Sequence, residues 1–209
     1  MKTKNTNLFY LPLWVLSAML ILAGCSKESI RDFEYDASET DQSNEALKSA
    51  HFETKSSKAD QNRILAQIRS ATAKYHDIEV ALADGYVFGS GCVSSPLGGM
   101  GYHLIRFDLV FSMTIDPDQP QVLLYEPMKN GNMRLVGVEF LVNYHQWNEQ
   151  YDDPPMLGNQ PFDAVPNAPA PPDGPGPSYQ LHVWVWKNNP LGMYFPFNPN
   201  VSCDYAAEE

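Results

Sequence analysis

Hydrophobic and aromatic side chains follow one another without a polar face over residues 179–186. Alternation places Leu181, Val183 and Val185 on one face of a strand, and His182, Trp184 and Trp186 on the other. Because neither face is polar, we expect both faces to be covered, as in a strand inside a sheet. A buried histidine in that strand requires a partner.

A helical periodicity of apolar residues occurs earlier in the chain. Between residues 60 and 83, apolar side chains recur every three or four positions, at Ile64, Leu65, Ile68, Ala71, Tyr75, Ile78 and Leu82. This spacing predicts one amphipathic helix of about 24 residues. Asp60 is placed to cap its start, and Gly85 is placed to end it.

The rest of the chain predicts β-structure and loops. Apolar runs at 122–125 and 134–142 flank Asn130-Gly131, which indicates a hairpin, and runs at 102–111 and 180–186 supply further strands. Helices do not alternate with strands, which disfavours a doubly wound fold. We therefore predict an α+β fold, with a long N-terminal helix packed on a mainly antiparallel sheet, or partly closed barrel, of about five to seven strands.

Proline interrupts these patterns. Residues 152–177 contain nine prolines, a density that excludes helix and central strand and predicts a long surface loop, either functional or a spacer. Residues 60–209 otherwise suit a single globular domain.

The first 25 residues predict export and lipidation. Lys2 and Lys4 precede an apolar run that ends at Leu22-Ala23-Gly24-Cys25, which is a lipobox. We interpret residues 1–24 as a lipoprotein signal peptide and Cys25 as the lipidated residue. A transmembrane anchor is the alternative, but the run is short, contains Pro12 and lacks a charged stop. Residue 26 is Ser instead of Asp, which favours the outer membrane and leaves the membrane face open.

Residues 25–59 are polar and have no sustained period, so we expect the lipidated cysteine to be followed by a flexible tether. Removal of Lys2 and Lys4 changes the net charge from −11 to −13. Such an acidic chain is a poor partner for nucleic acid or anionic lipid, so membrane attachment depends on the acyl chains.

Two cysteines, Cys92 and Cys203, remain after Cys25. In an oxidising compartment we predict that they form a disulfide that closes a loop of about 110 residues. A free thiolate or a metal ligand is the alternative.

Three residues interrupt apolar surroundings with groups that bind metals or move protons: His103, Glu139 and His182. His103 follows a glycine-rich run, and its alternative role is a hydrogen bond to a backbone carbonyl. Glu139 faces inward unless its strand has a solvent face. Two imidazoles and one carboxylate form a common set for a divalent transition metal.

Other candidates are weaker. His76 and Glu79 stand one turn apart, where an exposed ion pair is the simpler interpretation. Glu126 is expected to be exposed near the turn, and His145 to lie in a loop. Tyr102 and Trp184 are expected to line the pocket beside the three central residues. Signature motifs of zinc proteases, haem attachment, serine hydrolases and nucleotide binding are absent from the sequence.

Several segments together resemble a family of small secreted bacterial proteins to which no activity is assigned. They are Lys74-Tyr75-His76-Asp77, Ala83-Asp84-Gly85-Tyr86, Gly99-Met100-Gly101-Tyr102-His103, Leu123-Leu124-Tyr125-Glu126-Pro127, Gly158-Asn159-Gln160-Pro161-Phe162-Asp163, Leu181-His182-Val183-Trp184 and Asn198-Pro199-Asn200-Val201-Ser202-Cys203. The resemblance covers residues 71–203 and implies one exported domain with paired cysteines. The lipobox and the tether are additions to that plain secreted form.

Three functions remain open. The first is a lipid-anchored envelope domain that binds a metal ion or small ligand through His103, Glu139 and His182. The second is a metal-dependent envelope enzyme using the same residues, assisted by Glu126 or His76. The third is a structural or interaction lipoprotein whose functional surface is the proline-rich loop. The third requires that the three central side chains lie apart, beyond the reach of one ion at ligand distances near 2 Å.

Overall fold

A computed structural model describes residues 57–170 and 174–207. The predicted signal peptide, Cys25 and the predicted tether up to residue 56 lie outside the described residues, as do residues 171–173 of the proline-rich segment. Within the part of the chain that is described, no helix is both long enough and apolar enough to cross a bilayer.

The helical region runs from residue 57 to Ala83 in three pieces. Helix α1 covers residues 57–72, a 3₁₀ turn follows at Ala73–His76, and α2 covers Ile78–Ala83. The predicted single long N-terminal helix is therefore wrong. The chain breaks at Asp77, which is extended (ψ 111°) and caps α2 by accepting a hydrogen bond from the Glu79 amide. The Tyr75 carbonyl accepts from the Tyr125 hydroxyl at 2.5 Å, from outside the helix.

Among the described residues, nine strands follow, with two short helices between them: β1 Val87–Phe88, β2 Val93–Ser95, β3 Gly98–Ile105, α3 Phe107–Phe111, β4 Val122–Pro127, β5 Met133–Asn143, α4 Tyr144–Asn148, β6 Met156–Leu157, β7 Gln160–Pro161, β8 Asp163–Val165 and β9 Ser178–Val183. Seven form one antiparallel sheet in the order β1-β3-β4-β5-β9-β8, with β2 also paired to β3. The α+β class and the antiparallel sheet are confirmed.

The sheet is open, so the partly closed barrel is wrong. Its outer strands are β1 and β8, which have two and three residues and do not pair with each other. The predicted β4–β5 hairpin is confirmed, and it turns at Gly131, whose φ is 80°.

Three strand predictions differ from the structure. The 102–111 strand ends at Ile105, and Phe107–Phe111 is helical. The 180–186 strand ends at Val183, because the Trp184 amide donates to the Met193 carbonyl instead of to a neighbouring strand. The proline-rich segment contains β6, β7 and β8. Proline is tolerated there because Pro161 lies in a two-stranded ribbon and β8 is an edge strand.

Both faces of the central sheet are covered. Leu65, Ile68 and Tyr75 pack on one face with alternate residues of β4, β5 and β9. A smaller apolar cluster, which includes Val122, Leu141 and Trp184, covers the other face. The alternation of the strands places His103, Glu139 and His182 on this second face, opposite helix α1.

The C-terminal segment covers part of that second face. Its predicted disulfide, Cys92–Cys203, is present, with the two Cα atoms 5.8 Å apart. At Gly98, with φ 124°, a Cβ atom would lie 2.3 Å from the Asn198 carbonyl oxygen. Glycine therefore lets β3 approach this segment closely.

Candidate functional site

The sheet brings together His103 of β3, Glu139 of β5 and His182 of β9 on one face. Glu139 on β5 is paired in register with His182 on β9. On its other side Glu139 is paired with Val122 of β4, which is paired in turn with Ile105 of β3. His103 is two residues from Ile105 and therefore on the same face.

The ligand atoms of these side chains face one another. Glu139 Oε2 lies 3.8 Å from His103 Nε2 and 4.0 Å from His182 Nε2, and one ligand atom from each of the three lies within 4.8 Å of the others. These distances are too long for hydrogen bonds. They are close to the separation of roughly 3 to 4 Å between ligands that share one ion at about 2 Å.

His182 is almost completely buried. Its side chain is 3% exposed, and its Nε2 is the one buried side-chain nitrogen or oxygen of the described residues that has no hydrogen-bond partner. Leaving such an atom unpaired is costly, so its presence calls for a partner that the side chains do not supply.

The Ser90 hydroxyl is a hydrogen-bond partner of His103. The Ser90 hydroxyl donates to the Gly91 carbonyl at 2.9 Å, and its oxygen lies 3.1 Å from His103 Nδ1. In the tautomer that carries the proton on Nδ1, the Ser90 oxygen accepts from His103 Nδ1–H. His103 Nε2 then carries a lone pair directed at the cluster, as a metal ligand requires.

Burial sets the charge state of the metal-free cluster. It raises the pKa of Glu139 from 4.5 to about 8, because the carboxylate loses its hydration. Burial also lowers the pKa of His103 to about 4, and that of His182 to about 3 with a smaller contribution from His103. Without an ion, burial therefore favours the uncharged form of all three groups.

A cavity of about 200 Å³ adjoins the cluster. His103 and Glu139 line it, together with Ser90, whereas His182 does not. The cluster therefore has a closed side at His182 and an open side toward the cavity.

Trp184 and Tyr102 were expected to line the pocket, but their side chains lie elsewhere. Trp184 lies on the same face as His182, with ring centroids 6.3 Å apart, and its indole N–H donates to the Phe195 carbonyl. Tyr102 packs on the helix side of the sheet and against Phe88, and its hydroxyl accepts from the Ala207 amide. Neither side chain lines the cavity.

The remaining candidates lie away from the cluster. His76 is exposed and packs on Trp186, with ring centroids 4.4 Å apart. His145 is exposed on α4. Glu126 is buried instead of exposed, because Lys187 Nζ contacts its two oxygens at 2.6 and 2.7 Å and the Ser202 amide donates to it.

Sequence reasoning missed Ser90 and the cavity walls. Ser90 stands in Gly89-Ser90-Gly91, which is an ordinary turn pattern and carries no signal of a histidine partner. The walls come from separate segments, so only the fold brings them together.

Comparisons with protein-family models, with curated proteins and with solved structures gave no match. The likeness to the secreted bacterial family thus remains a resemblance of sequence segments.

Proposed function

We propose that this protein binds one divalent transition metal ion through His103, Glu139 and His182, as a lipid-anchored domain of the cell envelope. The observation that carries the proposal is the convergence of two imidazoles and one carboxylate whose ligand atoms lie within 4.8 Å of one another. Two His and one carboxylate suit zinc and iron(II).

Burial strengthens the argument for an ion. An exposed cluster of ionisable groups is common without a metal, but here the side chains of Glu139 and His182 are 4% and 3% exposed. A buried carboxylate without a cation must take up a proton, and a buried imidazole nitrogen without a partner loses its hydrogen bond to water. A bound cation relieves both penalties at once.

The location rests on the sequence. Lys2, Lys4, the apolar run and Cys25 together are typical of a lipoprotein leader. With Ser26 after the cysteine, we propose the outer membrane as the destination and the acyl chains as the membrane contact.

The cavity favours a second candidate function, a metal-dependent enzyme. A catalytic zinc site keeps three protein ligands and one position for water or substrate, and the cavity lies on the open side of this cluster. Glu126 and His76, named as assistants from the sequence, are not part of the cluster: Glu126 is paired with Arg134, five residues along β5 from Glu139, and His76 packs on Trp186. Turnover of an envelope substrate that is lost with the metal would favour the enzyme over a storage or sensing role.

Elemental analysis tests the metal centre. The full chain is exported in its native form, purified without a histidine tag and analysed by mass spectrometry of its metals. We expect about one equivalent of a transition metal in the wild type and almost none in His182→Ala. His145→Ala removes an exposed histidine and is the matched control, which should keep the metal. A folded wild-type protein without metal after incubation with zinc or iron(II) would contradict the proposal.

A further inference from the structure

The cavity beside the cluster has an uneven distribution of polar groups. Ser90, His103 and Glu139 lie at one end, and the remaining described wall is glycine or apolar, including Val93, Leu141 and Pro169. Among the described residues that line it there is no Lys, Arg or Asp. Among the described residues, a ligand in this cavity thus meets polar side chains only at the cluster.

An ion bound by the three residues would expose its free coordination positions to this cavity. His182 does not line the cavity, so it holds the ion from the closed side, while His103 and Glu139 lie at the boundary. A ligand that reaches the ion therefore enters past Ser90 and the apolar wall.

Charge selects the kind of ligand. A divalent ion with one carboxylate and two neutral imidazoles carries a net charge of about +1. One negative charge at the ion balances it, whereas a second charge further out would lie against apolar walls, with no cationic partner among the described lining residues. The volume of about 200 Å³ can hold a short hydrocarbon chain, since an apolar cavity of roughly 150 Å³ accepts a benzene ring.

We propose that the cavity binds a small monoanion that has one metal-binding carboxylate head and a short apolar tail. This inference rests on the proposed metal centre. The head occupies the open position of the ion, and the tail packs against Val93, Met100, Val122 and Leu141.

The test uses the full chain loaded with cobalt(II), whose visible absorption reports changes in coordination. Three probes are titrated at pH 7.5: acetate, hexanoate and adipate. Hexanoate should bind at least tenfold more tightly than acetate, because its methylene groups are buried. Adipate has six carbons as well, but its second carboxylate should weaken binding at least tenfold relative to hexanoate.

Matched wall variants locate the tail. Val93→Phe on β2 fills the cavity and should weaken hexanoate binding at least tenfold while acetate binding changes little. Val87→Phe makes the same substitution at an exposed position of β1 and should leave both unchanged. Met100→Phe narrows the cavity from β3 and tests the wall independently of Val93.

The outcomes separate the two proposals. If the chain binds no cobalt, the metal centre is wrong and the ligand inference fails with it. If cobalt binds but hexanoate binds no more tightly than acetate, or adipate binds as well as hexanoate, the metal centre stands and the monoanion inference is overturned. Equal hexanoate affinity in Val93→Phe, Met100→Phe and the wild type also overturns it.

Discussion

Glu139 and His182 are directly paired across β5 and β9, with Oε2 and Nε2 4.0 Å apart and both side chains almost fully buried. Neighbouring residues of this kind ordinarily form a hydrogen bond, but at this distance they do not. His103 lies beside the same carboxylate, with its Nε2 3.8 Å from Glu139 Oε2. The predictions on the proposed metal centre rest on the space between these three side chains.

Glu139→Gln should weaken zinc binding at least 100-fold, because the amide keeps the shape of the side chain and removes its charge. Isothermal titration with zinc measures the change. Glu149→Gln, at an exposed position after α4, is the control and should bind zinc like the wild type. Unchanged affinity in Glu139→Gln would remove Glu139 from the ligand set.

Ser90→Ala should weaken zinc binding about 10- to 100-fold without abolishing it, since residues that orient a ligating histidine have effects of this size. The expected cause is loss of the acceptor for His103 Nδ1–H. The imidazole NMR signals of His103 should then show a mixture of tautomers in the metal-free protein. Ser94→Ala changes an exposed serine of β2 and should alter neither readout.

The metal-free protein should lose stability as the pH rises from about 6.5 to 8. Burial raises the pKa of Glu139 to about 8, so the folded state holds a proton that the unfolded chain releases above pH 4.5. The contribution of Glu139 is therefore complete below pH 4.5 and is lost as the pH approaches 8.

His103 and His182 have the opposite effect on the free energy of unfolding, and they have it at lower pH. Their pKa values are lowered to about 4 and 3, so their neutral folded forms add stability as the pH rises toward 6.5 and change little above it. Between pH 6.5 and 8 the loss from Glu139 should reach about 2 kcal/mol. Urea denaturation in the presence of a chelator measures it. Glu139→Gln should show a flat profile in this window, and an equal slope in both proteins would refute the explanation.

Lys187→Met should lower the free energy of unfolding by about 2 kcal/mol, because it removes the cation beside a buried carboxylate. The loss should be smaller than for a completely buried ion pair, since the Lys187 side chain is 20% exposed. The variant leaves the buried Glu126 carboxylate with the Ser202 amide and with Arg134, which lies 3.9 Å away. Lys74→Met breaks the exposed pair with Asp84 and should lower the free energy of unfolding much less, because water and salt screen that pair. Metal content should not change in either variant, and equal costs for the two would be inconsistent with the burial of Glu126.

Cys25→Ala should abolish incorporation of labelled palmitate and release the protein from the membrane fraction, because the predicted acyl chains are its membrane contact. Ser26→Asp keeps the lipidated cysteine and should shift the protein to the inner membrane. Labelling that survives in Cys25→Ala would rule out the lipobox interpretation.

The sequence indicated His103, Glu139 and His182 because each is a polar residue within an apolar run, where burial without a partner is costly. Their proximity depends on register: a one-residue slip of β9 would turn His182 to the helix side of the sheet. Periodicity does not encode register between strands that are 43 positions apart.

Other errors have local causes that only packing reveals. The apolar period continues through Asp77, so it could not show that the Tyr75 carbonyl accepts from Tyr125 and that Asp77 caps a new helix. Glu126 was expected to be exposed because it stands near a turn. Its partner Lys187 is 61 residues away, and the C-terminal segment covers it.

The positions of His103, Glu139 and His182 along the chain determine at which stage of folding the cluster forms. His103, Glu139 and His182 lie on different strands, and the last of them comes after more than four fifths of the chain. An incomplete chain therefore presents these side chains singly, and the three come together only once β9 has joined the sheet. An ion bound as proposed would therefore be held tightly by complete chains alone, and its binding would oppose unfolding of the whole sheet at once.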